Sequence, residues 1–353
     1  MSPVFARLLR EARAFAQRNS MRGARAVLQQ AWDDARRGPW RQRVLEPARF
    51  DAARYSGPEG ARDYKVFVPA GDAQIARPLV LMLHGCGQDP DDFAAGTRMN
   101  EHAQEHGLVV LYPAQATRSN HQRCWNWFMP GDQHRDAGEP ALLAGMTRHV
   151  MALHGVDPAR VYVAGLSAGA AMADILAHEY PDLYAAAGIH SGVPHGAAHD
   201  MASAFAAMQG HRHGSVLHAT LGWWLGVPPV APPAPSRHSA PRVATPTIVF
   251  HGDADDTVHP RNGDGVIGAL LERADAEIAA SSVTASCGGR SVTRTVHRRA
   301  GASSREPSVA EHWVVHGAGH AWSGGDPAGS HADALGPDAT REMLRFFGQH
   351  RRR

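Results

Sequence analysis

The sequence predicts a doubly wound α/β domain with a mostly parallel sheet, and three observations carry that prediction. Short continuous apolar runs recur from Tyr64 onward, among them Leu79-Val80-Leu81-Met82-Leu83 and Leu108-Val109-Val110-Leu111-Tyr112. Continuous rather than alternating runs mark strands buried on both faces, as in a parallel sheet covered by helices. Helical segments fall between the runs, near residues 92–106, 139–155, 169–179, 265–279 and 338–349; such alternation argues for one α/β unit. Third, a Gly-x-Ser-x-Gly string stands where a strand gives way to a helix.

Taken in order, residues 1–45 read as a basic helical extension. Phe5, Leu8, Leu9, Ala12 and Phe15 recur at three- and four-residue spacing, and a second stretch through Trp32 is broken by Gly38-Pro39. Residues 1–43 hold ten arginines and three acids. Three readings of this extension stand: a hairpin packed on the domain, an amphipathic element docking on a polymer or membrane surface, or a processed or disordered leader. It lacks the continuous apolar stretch of about 7–15 residues of a secretory leader, so none is expected.

The remainder, 46–350, is the expected catalytic domain. Its strands are Lys65–Val68, Leu79–Leu83, Leu108–Tyr112, Val161–Ala164, Thr247–Phe250 and His312–Val315. Residues 211–245 interrupt the rhythm with six prolines and the apolar Leu221-Gly222-Trp223-Trp224-Leu225. A stretch so long without a clear element exceeds a simple connection, and is expected to be a surface loop or a lid over a cleft.

Composition excludes several classes. No apolar run approaches the roughly 18–20 residues of a membrane span. Three cysteines among 353 residues are too few for a disulfide scaffold, and no Cys-x-x-Cys pair proposes a structural zinc. A net charge of +2 does not mark a nucleic-acid binder. His190, His195 and His199 lie close together, but their spacing fits no common zinc pattern; no metal is expected.

Gly165-Leu166-Ser167-Ala168-Gly169 carries the chemistry. A turn tight enough to lift a serine clear of a sheet leaves no room for side chains two residues either side. Ser167 is the expected nucleophile. A serine hydroxyl needs a base, and the base an orienting carboxylate, which in this architecture follow in the order Ser, Asp, His. The last strand runs into His316-Gly317-Ala318-Gly319-His320, and His320, on a loop of small residues, is the expected base; His316 is expected to be structural. Asp253, Asp255 and Asp256 compete for the acid after Thr247–Phe250. Backbone N–H groups of Ala168 and of Cys86, in the loop His84-Gly85-Cys86-Gly87-Gln88, are the expected oxyanion donors.

Together, Leu83–Gln88, Cys124-Trp125-Asn126-Trp127-Phe128, Gly165–Gly169, His190-Ser191-Gly192 and His251–Val258 resemble the polyhydroxybutyrate (PHB) depolymerase family of esterases. That family is related to feruloyl and acetylxylan esterases and to the wider α/β-hydrolases. The likeness covers about residues 60–349. It implies an α/β-hydrolase fold and promotes Asp255, through its Gly-x-x-Asp-x-x-Val setting, over Asp253 and Asp256. It implies a serine esterase acting through an acyl-enzyme, without a cofactor, on short-chain polyhydroxyalkanoate polymer or oligomers.

Trp125, Trp127 and Trp322 are read as an aromatic wall for the acyl group, with core plugs as the alternative. Cys86 and Cys124 are a candidate disulfide tying that wall to the oxyanion loop; in a reducing cytosol they would be two buried thiols. Cys287 is left unpaired. The alternatives in function are a feruloyl or acetylxylan esterase, an acyltransferase, and a non-catalytic polymer-granule protein. The resemblance points outside the cell, the missing leader to the cytoplasm.

Overall fold

The computed structural model describes residues 45–72, 74–210 and 244–352. The helical extension expected over 1–45 and the insertion over 211–245 lie, but for Leu45, Ala244 and Thr245, outside the described residues.

Two antiparallel strands lead in, β1 (Arg49–Gly57) and β2 (Gly60–Val68). Then follow β3 (Arg77–Leu83), α1 (Pro90–Thr97), α2 (Met99–His106) and β4 (Val109–Pro113). Next come α3 (Gly138–His154), β5 (Val156–Leu166), α4 (Ala168–Glu179) and β6 (Ala186–His190). After α5 (Met201–Met208) the chain forms β7 (Thr247–Gly252) and α6 (Arg261–Glu272). A hairpin of β8 (Ile278–Cys287) and β9 (Arg290–Arg299), then β10 (Ala310–Val315) and α7 (Ala339–Phe347), complete it. These ten strands form one sheet in the order β8-β9-β10-β7-β6-β5-β3-β4-β2-β1. The six from β10 to β4 run parallel, and antiparallel ribbons extend both ends.

Period-two alternation divides the central strands between two cores. Leu79, Leu81 and Leu83 of β3 face one core with Leu143 of α3 and Ala170 of α4; Val80 and Met82 face the other with Phe93 of α1 and Met343 of α7. A strand buried on both faces reads as a continuous apolar run, which is why β3, β4, β5 and β7 were visible in the sequence.

The helix expected over 92–106 is two helices, because Arg98 takes a left-handed conformation (φ 53°) between them. The helix expected over 265–279 starts at Arg261 and ends at Glu272, and Ile278 already belongs to β8. Strand β6 was not expected: Ala186-Ala187-Gly188-Ile189-His190 lacks bulk. A Cβ on Gly188 would sit 2.6 Å from Met343 Sδ, so tight cover by α7 selects small residues there.

Candidate active site

Strand β5 ends at Leu166 and α4 begins at Ala168, leaving Ser167 alone in the turn at φ 57°, ψ −122°. Few non-glycine residues adopt positive φ, and this one has a ψ outside the left-handed helical region as well. The flanking glycines are there for space. A Cβ on Gly165 would lie 2.4 Å from the carbonyl carbon of Gly169, and one on Gly169 would lie 2.1 Å from Leu83 O. Ser167 N–H donates to His190 O at 2.9 Å, which pins the turn to the end of β6.

The loop after β7 carries the candidate acid. Asp255 is buried and its Oδ2 lies 2.7 Å from His320 Nδ1. Its Oδ1 accepts the backbone N–H groups of Thr257 and Val258, at 3.0 and 2.8 Å. His251 Nε2 stands 3.5 Å from Oδ2. Burial alone would raise this carboxyl, but the contacts with His251 and His320 and the Val258 N–H together hold it well below the usual carboxylate range. The imidazole held at Nδ1 presents Nε2 to its other side. Asp253 meets His316 instead, Oδ2 to Nδ1 at 2.7 Å. Asp256 reaches neither histidine and lines the cleft.

The loop His84–Gln88 lies beside the elbow and is fixed at several points. Gly85 N–H donates to Gln88 Oε1 at 2.9 Å and Gly87 N–H to Gln122 O at 2.7 Å. His84 is neutral: burial pushes it down to about 4, and its Nε2 accepts Gln115 N–H at 3.1 Å. Among the described residues the Cys86 N–H donates to no backbone carbonyl. Ala168 is the first residue of α4, where N–H groups have no intrahelical acceptor. Cys86 is joined to Cys124 by a disulfide, Cα to Cα 4.2 Å, and Cys287 is free and exposed.

Ser167 and His320 both line one cleft of about 550 Å³, within the range of small-molecule sites. Trp127 and Phe128 form one wall, the Cys86–Cys124 disulfide lies beside them, and Met201, Phe205 and Met208 of α5 supply another. Asn120, Gln122 and His331 give a polar margin. Of the three tryptophans expected to form the wall, only Trp127 does. Trp125 is fully buried, its indole N–H donating to His84 O at 3.1 Å. Trp322 is also buried, bonded to Thr340 Oγ1 at 3.0 Å and set edge-on to Phe93. Both are core side chains, each holding up a site loop from beneath.

Sequence reasoning missed α5. Its Met201, Phe205 and Met208 repeat at helical spacing, the signal by which it could have been found; Met201 and Phe205 are exposed. The role of His190 was missed too. Its carbonyl receives Ser167 N–H, and its Nε2 receives Ser323 N–H at 2.9 Å, beyond the base. Burial, with His251 and His320 nearby, pushes its pKa down to about 3, so the ring is neutral. His195 Nε2 turns instead to Gln133 O. Among the described residues no cluster of three or more His, Cys, Asp or Glu is arranged to hold a metal, and no helix is long and apolar enough to cross a membrane.

Comparison with known proteins agrees with this arrangement. Poly(3-hydroxyalkanoate) depolymerase C of Paucimonas lemoignei is 37% identical over 196 residues, 55% of this chain and 44% of that protein. Feruloyl esterase B of Neurospora crassa is 32% identical over 210 residues, 58% of this chain and 68% of that protein. This chain therefore spans less than half the length of the Paucimonas depolymerase. Among solved structures, an acetyl xylan esterase from Aspergillus awamori superposes with a TM-score of 0.54 at 16% identity, covering 85% of this chain and 99% of that one; the likeness is one of fold, that of the α/β-hydrolases. Residues 62–293 match the family described as Esterase PHB depolymerase, a span that takes in both bridged cysteines, the elbow and Asp255. On that match, which covers more than half of its length, the chain belongs to the PHB depolymerase family of esterases.

Proposed function

We propose that this chain is a serine ester hydrolase acting through an acyl-enzyme on short-chain polyhydroxyalkanoate polymer or oligomers. The observation that carries the reading is that Ser167, at positive φ on the tip of β5, shares one apolar cleft with a histidine already held by a buried carboxylate. His320 Nε2 takes the proton of Ser167 Oγ as the oxygen attacks an ester carbonyl. Asp255 keeps the imidazole in the required tautomer and stabilises the imidazolium. The carbonyl oxygen, now an anion, rests between the N–H groups of Cys86 and Ala168. His320 returns its proton to the alkoxide, the alcohol leaves, and water repeats the sequence on the acyl-enzyme to free the acid and restore Ser167. Every group needed for these steps is supplied by the chain.

The walls of Trp127, Phe128, Met201 and Phe205 suit a small aliphatic acyl unit. A second reading is removal of feruloyl or acetyl groups from polysaccharide, favoured by Gln122 and His331 on the margin, which offer partners for sugar hydroxyls. An acyltransferase would use the same groups with an alcohol in place of water. Polymer or membrane-surface association through residues 1–45 is part of the same reading, and weaker retention on PHB granules after deletion of residues 1–43 is its test.

The decisive experiment compares the purified protein on PHB, a feruloyl ester and acetylated xylan, with an added alcohol to reveal transfer. Hydrolysis of p-nitrophenyl butyrate should vanish in Ser167→Ala. Undiminished hydrolysis in that variant overturns the assignment.

A further inference from the structure

A buried network that the reaction does not use stands behind the Cys86–Cys124 bridge. Glu139, in the first turn of α3, is buried, and its two oxygens are spent on one segment of chain. Oε2 accepts Asn126 N–H at 2.8 Å; Oε1 accepts Gln115 Nε2 at 2.5 Å and Asn126 Nδ2 at 3.3 Å. Arg62, equally buried, lies 3.5 Å from Oε1, bonds Gln115 Oε1, and sits over the ring of Trp125. From these anchors a chain of links runs on to the oxyanion loop. Gln115 Nε2 holds Cys124 O at 2.9 Å, and Cys124 is bridged to Cys86. Gln115 N–H meets His84 Nε2, Trp125 Nε1–H meets His84 O, and Gln122 O receives Gly87 N–H. Asn126 Oδ1 accepts Asn120 Nδ2 at 3.1 Å, and Asn120 Oδ1 in turn accepts the N–H groups of Gln122 and Cys124.

We propose that Glu139 is a positioning residue for the oxyanion donor: through Gln115, Asn126 and the Cys86–Cys124 bridge it fixes where the Cys86 N–H points. Glu139 itself lies outside the cleft lining and touches no reacting atom. The proposal rests on the esterase reading of the site. Its physical basis is that a carboxylate offers acceptors to all the donors converging on it. A glutamine offers one oxygen, and its amide would face N–H groups with N–H groups. The donors would then separate, and a displacement on the order of 1 Å at a catalytic group can cost about 10²-fold in rate.

The test uses the full-length protein with Glu139→Gln and, as a variant that leaves the buried charge in place, Asn126→Ala. Both should lower kcat on p-nitrophenyl butyrate by about 10- to 100-fold with KM within twofold. The inhibition constant of a trifluoromethyl ketone, whose adduct places an anion in the oxyanion site, should rise by the same factor as kcat/KM falls. A residue important only for folding would lower the active fraction without changing that constant. Should Glu139→Gln fail to fold, Asn126→Ala carries the test. Unchanged kcat in the folded variants, or a fall in kcat with trifluoromethyl ketone affinity unchanged, overturns the proposal. Absence of hydrolysis by the wild-type protein would instead strike the esterase reading on which it rests.

Discussion

Asp253 and His316 are joined Oδ2 to Nδ1 at 2.7 Å, the same separation that joins Asp255 to His320. Two aspartate–histidine pairs thus connect the same two loops, and only their surroundings tell them apart. The Asp253–His316 pair is exposed, and His316 Nε2 is already engaged by Thr293 Oγ1 at 2.8 Å. Among the described residues His320 has no such partner on its far nitrogen, and the Asp255 side chain is closed off from solvent. Asp255→Asn should lower kcat by about 10³–10⁴-fold, the scale on which a triad carboxylate acts. Asp253→Asn should change it by less than about fivefold. Steady-state kinetics on p-nitrophenyl butyrate would expose a reversed assignment.

Stability should depend on acid through the buried imidazoles. His84 and His350 are pushed down to about 4 and His190 to about 3, each by burial first, whereas an unfolded chain protonates histidine near pH 6.5. Between those values the unfolded state binds more protons, so their contribution is complete above about pH 6.5 and is lost as pH falls toward 4. Each adds a slope of about 1.4 kcal/mol per pH unit within that window. Below about pH 4 Asp255 acts in the same direction, since its folded pKa is depressed. Urea unfolding at pH 7, 6 and 5 should show the decline; a flat profile contradicts it.

The Cys86–Cys124 bridge closes a loop with a sequence separation of 38. Reduction, or Cys124→Ser, should lower unfolding free energy by about 3–4 kcal/mol on the chain-entropy account. Because Cys86 lies in the oxyanion loop, kcat should fall as well. Denaturant midpoints with and without reductant give the first quantity and initial rates the second. A reduced protein of unchanged stability and rate would show the bridge to be idle.

Two aromatic residues should separate fold from cleft. Trp125→Ala, in the core, should cost about 3–5 kcal/mol. Phe205→Ala, on the exposed face of α5, should leave thermal unfolding nearly unaltered while raising KM for butyrate esters several-fold. Equal effects of the two variants on KM would mean that α5 does not meet the acyl group.

The sequence made the doubly wound core legible because β3, β4, β5 and β7 carry large apolar residues on both faces. It concealed β6, whose small residues answer to packing against Met343, and the ribbon β8–β9, whose outer strand is exposed almost throughout. Ser167 was visible because an elbow demands glycines at fixed offsets. The residues alone left the acid open, since Asp253 and Asp255 each have a histidine partner; only the resemblance, through the Gly-x-x-Asp-x-x-Val setting, singled out Asp255. For Trp125 and Trp322, proximity to the site was mistaken for exposure to it. Both support its loops from below, and aromatic content alone does not distinguish a floor from a wall.

His190 accepts the Ser167 N–H on its carbonyl and the Ser323 N–H on its ring. Ser167 and His320, the proposed nucleophile and base, belong to loops more than 150 positions apart in the chain, yet both loops are tied to this one residue at the end of β6. The spacing of the two loops is thus referred to one common datum, not to the long stretch of chain between them.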